Sequence, residues 1–150
     1  MRRPYNGSMS QDTAADFDWV GAQAQCTAGS MFERLRTRVR EDVQKRNGLF
    51  NRGNSSKFEF YEDEDKEFEV ERHVPSGGTS TKVTGVVTFV REGSRILVQG
   101  EDVDVDFVAV VTLDATGACR FVVGEAMYSD WEIRRMALEL LFFEESGDEE

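Results

Sequence analysis

Two hydrophobic periods divide the chain. From Lys57 to Met127 apolar and polar side chains alternate with a period of two, the signature of strands with one face buried. On either side of that block the apolar positions return every three or four residues, as on an amphipathic helix. The alternating block splits at turn residues into "KFEFYE" (57–62), "KEFEVERHV" (66–74), "TKVTGVVTFVRE" (81–92), "SRILVQ" (94–99), "DVDVDFVAVVTLD" (102–114) and "ACRFVVGEAM" (118–127). The pair Glu92-Gly93 is a tight-hairpin signal. Ahead of the block, "DFDWVGAQAQ" (16–25) alternates through Phe17, Trp19 and Gly21 and predicts a short first strand.

The first helix is expected over "MFERLRTRVREDVQKRN" (31–47). Phe32, Leu35, Val39 and Val43 form its apolar stripe, and Arg34, Arg38 and Lys45 lie opposite. Thr27 and Ser30 are both candidate caps, Ser30 with Glu33 making a capping box, and Asn47-Gly48 is a stop signal. A second capping box, Ser129 with Glu132, opens the last helix, "SDWEIRRMALELLFFEE". At 100° per residue, Ile133, Met136, Ala137, Leu140 and Phe143 share one stripe, the expected sheet-facing side. Trp131, Leu138 and Phe142 fall nearly opposite, with Arg134, Arg135 and Glu139 between the two stripes. A helix apolar on both sides must be covered on both. Strand, helix, six strands, helix, without strand–helix alternation, predicts an α+β fold. Its sheet is an antiparallel meander of about six to seven strands, with the N-terminal and C-terminal helices on one face.

This element order, and the opening "VGAQAQCTAGSMFERL" (20–35) with its strand, small polar cap, aromatic and leucine, resembles the helix-grip superfamily of START lipid-transfer and birch-pollen-allergen-like proteins. The resemblance implies a sheet gripping the last helix. It also implies first and last strands side by side, which brings Cys26 close to Cys119. A third implication is a cavity for a small apolar ligand lined by Phe58, Phe60, Phe89, Phe107, Met136, Leu140 and Phe143, for which plain core packing is the simpler account. The first helix is longer, and the last shorter, than that superfamily's pattern. A cystatin-like or nuclear-transport-factor-like sheet wrapped on a helix is the competing architecture.

Composition narrows the chemistry. At 150 residues the chain suits one domain, expected over 16–145, between a disordered segment 1–15 and an acidic disordered tail 146–150. No apolar run is long enough to span a membrane, and no apolar stretch follows the first arginines as in a secretory signal, so the expected location is the cytoplasm. A net charge of −11 repels nucleic-acid backbone. Between Met31 and Lys57, however, eight Lys or Arg face three acidic residues, either a steering patch or a solvated helix face. Cys26 and Cys119, far apart and without a CxxC partner, read most simply as two buried small side chains. No cofactor is expected.

Three features bear on chemistry. Asp102, Asp104 and Asp106 would lie about 7 Å apart along one strand face, joined by Glu101. That row suits a hard cation in ligand type but not in geometry, so no metal is assigned. His73, the one histidine, precedes Ser76 and Ser80 and is a general base in kind, but no nucleophile elbow surrounds either serine. No catalytic residue is assigned. The leading expectation is therefore a non-enzymatic interaction domain. It self-associates as a homodimer through Trp131, Leu138 and Phe142 with Arg134 and Arg135, aromatic residues being common interface anchors. The alternative partner is a small apolar molecule, and a hydrolase or carboxylate–metal enzyme is the remote third.

Overall fold

The computed structural model describes residues 16–51 and 55–144, so the expected segments 1–15 and 146–150 lie outside the described residues. The architecture is α+β, as the pattern predicts: one seven-stranded antiparallel meander whose spatial order follows the chain, β1 to β7. The strands are β1 (Lys57–Glu64), β2 (Glu67–Gly77), β3 (Ser80–Glu92), β4 (Arg95–Glu101), β5 (Asp106–Leu113), β6 (Cys119–Val123) and β7 (Ala126–Tyr128). Two helices precede the sheet, α1 (Trp19–Gln25) and α2 (Ala28–Leu49), and α3 (Asp130–Phe143) closes the domain.

α2 and α3 cover one face of the sheet. Phe68 and Phe89, paired across β2 and β3, stack at 4.6 Å, and Phe32 of α2 lies 5.1 Å from Phe68. Around these rings Leu35, Val39, Val87, Ile96, Val98, Phe121, Ile133 and Leu141 are fully buried. Removing that apolar area from water is the main stabilising term. The β3–β4 hairpin follows its turn signal, with Glu92 facing Arg95 across Gly93, whereas Gly124, at φ 64°, turns the expected single last strand into two, β6 and β7. Only glycine adopts that left-handed backbone without penalty.

Four local expectations are overturned. Residues 19–25 form a helix, α1, with Asp18 as its cap accepting from the Gly21 N–H at 2.9 Å, and not the predicted first strand. α1 buries none of its residues, so it has no apolar stripe to announce it. α2 starts at Ala28, three residues ahead of the expected Met31, and of the two candidate caps it is Thr27 that serves, its hydroxyl accepting from Ser30 N–H. Ser30 instead donates to Gln25 O at 2.7 Å. α2 also runs through the expected stop to Leu49. There Asn47 turns its amide onto the outer edge of β1, accepting from Phe58 N–H at 3.0 Å and donating to Phe58 O at 2.9 Å. That pair occupies edge groups another chain would otherwise use. Finally, β5 begins only at Asp106. Residues 102–105 fold back, with Asp102 at φ 65° and Gly100 N–H donating to Val105 O at 2.7 Å, so the three aspartates do not share one strand face.

The cysteines are also paired, and not two free thiols: Cys26, between α1 and α2, is disulfide-bonded to Cys119 at the start of β6. The closeness the resemblance implies is present, but Cys26 reaches it from a helix junction.

Candidate functional site

α3 carries the residues expected at an interface. Its buried residues are Ile133, Ala137, Leu138, Leu141 and Phe142, an arc about half the helix circumference wide at 100° per residue. α3 lies on the sheet and beside α2 at once, so the arc bisects the two predicted stripes. Leu138 (2 % exposed) and Phe142 (6 %) are core residues and not free interface anchors, Phe142 packing on Phe58 at 4.9 Å. Phe143, expected to face the sheet, is 60 % exposed, and Met136 and Leu140 are half-buried. Of the other residues predicted to line a cavity, Phe58 is buried against the Phe142 ring and Phe89 against that of Phe68, and Phe60 and Phe107 pack against the core from its margin.

The largely apolar opening lies between the last turns of α2 and the outer side of α3. It is a groove of about 370 Å³, with Leu138 and Phe142 in its lining. Leu49 (65 % exposed), Trp131 (56 %) and Phe143 stand around it. Its rim carries both signs. Arg134 joins α3 to α2, donating to both carboxylate oxygens of Asp42 at 2.7 Å and to Asp130 at 3.1 Å. Arg135 and Glu139, both well exposed, pair loosely at 3.3 Å. Beneath the end of α3, the buried Arg46 donates to Phe142 O at 2.9 Å and lies over the Phe50 ring at 4.2 Å.

The basic stretch is thus only partly a solvated face. Arg46 is in the core, and Arg36, also buried, lies over the rings of Phe32 and Phe68. Arg36 also binds Glu33, Glu62 and the Asp65 carbonyl, and Arg40 pairs with Glu62, which pins α2 to the β1–β2 hairpin.

On the far face of the sheet, Glu59, Glu69 and Glu71 cluster on β1 and β2. Glu69 is pushed up to about 6, first by partial burial and then by the hydrogen bond and charge of Glu71, with Glu67 and Asp63 adding to it. A raised carboxyl favours folding below its unfolded value, near 4.5, and that contribution is lost as pH rises through about 6. Glu69→Gln is therefore expected to raise the urea midpoint at pH 8 and to leave it unchanged below pH 4.5. The gain is about 1 kcal/mol or less, because water screens a partly exposed group. Unfolding curves at the two pH values check it.

His73 hydrogen-bonds Glu71 at 3.0 Å and Thr81 at 3.4 Å, so its ring nitrogens meet these two side chains. Among the described residues no group of three or more His, Cys, Asp or Glu is arranged to hold a metal ion, and no helix is long and apolar enough to cross a membrane. No family model, curated protein or solved structure matches the chain.

Trp131, Leu138, Phe142, Arg134 and Arg135, the residues expected at an interface, all line this groove, together with Leu49, Lys45 and Asp42 of α2, which that expectation lacks. Leu49 follows the Asn47-Gly48 stop signal, which placed it outside the helix. Its signal is the continuation of the Phe32–Leu35–Val39–Val43 spacing through Arg46 to Leu49.

Proposed function

We propose that this protein is a non-enzymatic interaction domain that self-associates, with a second copy of the chain seated on the α2–α3 groove. The observation that carries the reading is the exposure of Leu49, Trp131 and Phe143 around a single groove, an arrangement a monomer leaves in water at a cost. The second copy is favoured by the rim, which is self-complementary in charge. About a twofold axis, Arg135 of each copy exchanges its exposed, loosely held Glu139 for that of the other. Trp131 of one copy then covers the Leu138 and Phe142 floor of its partner, where an aromatic anchor contributes most.

The expected cytoplasmic location gives way, in this reading, to an oxidising compartment, since a Cys26–Cys119 disulfide persists there and not against cellular thiols.

Native mass by light scattering tests the assembly. Wild type is expected at twice the 17.0 kDa chain mass, and Trp131→Ser with Phe143→Ser at the chain mass with unchanged circular dichroism. Both side chains are more than half exposed, so the fold does not depend on them. A wild type monomeric at high concentration overturns the proposal, and a lipid copurifying with that monomer would make the groove a ligand site instead.

A further inference from the structure

The disulfide opens onto a cleft of about 430 Å³ and mixed polarity, lined by Gln25, Thr27, Ser30, Arg34 and Met31 on one side and Leu113 and Gly117 on the other. Its two sulfurs are not equivalent. Cys26 is 7 % exposed, whereas Cys119 is half-buried and offers the more open approach. Cys26 is at once the C-cap of α1 and the residue before Thr27, the cap of the 22-residue α2. The more open side of the bond therefore selects the direction of attack.

We infer that the Cys26–Cys119 disulfide is a thiol-exchange site, at which a small anionic thiol attacks Sγ of Cys119, expels Cys26 as thiolate and unclasps α1. The new bond joins the incoming sulfur to Cys119, the Cys26–Cys119 bond breaks, and its electron pair stays on Cys26. A second thiol then attacks the mixed disulfide, releasing the small-molecule disulfide and leaving two protein thiols. Arg34, exposed at the cleft, favours a thiol that carries negative charge.

Opening has a mechanical consequence, because little else holds α1. The helix buries none of its residues, and beside the disulfide this segment is fastened by the Phe17 ring on Gly117 and the Ser30–Gln25 hydrogen bond. Its Trp19 and Val20 are already 61 % and 58 % exposed, so release turns a fixed apolar segment into a free one.

The test treats the native full chain with reduced glutathione at pH 7.5, quenches with acid, alkylates free thiols and maps the peptides by mass. The expected product carries glutathione on the Cys119 peptide and the alkyl group on Cys26, with far-UV circular dichroism retained and faster amide exchange confined to residues 16–25. Arg34→Glu is expected to slow glutathione by on the order of threefold to tenfold, the effect of reversing one partly screened charge, and to leave neutral 2-mercaptoethanol unaffected. Glutathione found on Cys26, or exchange no faster than global unfolding, would overturn the inference.

Discussion

Arg72→Ala is expected to be among the most damaging single substitutions in this domain, lowering unfolding free energy by about 3–5 kcal/mol. Arg72 projects from β2 into the helix–sheet layer and is only 6 % exposed. Its guanidinium donates to Leu141 O at 2.9 Å, to Thr84 Oγ1 at 2.9 Å and to Thr84 O at 3.2 Å. Thr84 is the extra residue where the β2–β3 register shifts between Arg72–Gly85 and His73–Val83. One side chain therefore fills a bulge and caps the C-terminus of α3, where unpaired carbonyls carry partial negative charge. Room for it comes from Gly85, where a Cβ would stand 3.2 Å from the Arg72 Nη2 and 2.8 Å from Val103. Arg72 pairs with no carboxylate among the described residues, so the carbonyls and the helix end are what compensate its burial.

The comparison with Arg72→Met separates two contributions. Methionine keeps most of the volume but leaves three acceptors without their donor, for a loss of about 2–3 kcal/mol. Alanine adds the cavity to that loss. Urea unfolding with an unchanged slope is the measurement. A Met variant as stable as wild type would mean that desolvating the guanidinium costs as much as its hydrogen bonds return, as happens at some buried ion pairs.

What was legible in the sequence follows from which signals are local. The period-two block from Lys57 onward announced the meander because each strand buries one face, and glycines at turns marked where it folds. α1 was misread because a helix that buries none of its residues needs no apolar stripe, and Phe17 and Trp19 then mimic alternation. The Asp18 cap was the available signal. On α3 both apolar stripes were visible, but their bisecting buried arc depends on where α2 ends, and that end was placed two residues early. The buried guanidiniums of Arg36, Arg46 and Arg72 were invisible for a different reason: arginine belongs on surfaces by default. Only the converging carbonyls and aromatic rings, drawn from distant elements, make burial affordable. The groove was half legible for the same reason, its α3 wall being local and its α2 wall being a matter of packing.

The second large effect is expected from the double substitution Cys26→Ser, Cys119→Ser, which should lower stability by about 2–5 kcal/mol. The cysteines are 93 residues apart, so the bond closes a loop that contains α2, the first five strands and every turn between them. A loop of that length gives a chain-entropy estimate of about 4–5 kcal/mol, acting by restricting the unfolded chain. It sets the upper end, since residual structure in the unfolded state reduces the effect. Serine at both sites removes the link while nearly preserving volume, so little of the loss comes from packing. With total stabilities of such domains at about 5–15 kcal/mol, the variant should stay folded at 25 °C but melt well below wild type. The folded variant should keep its core dichroism, because Phe32, Phe68, Phe89 and Phe121 pack independently of α1. The unfolding midpoints of oxidised wild type, reduced wild type and the serine pair distinguish the mechanisms. Coincidence of the last two, both below the first, assigns the loss to the cross-link, whereas a serine pair as stable as oxidised wild type would show that the loop restriction contributes nothing.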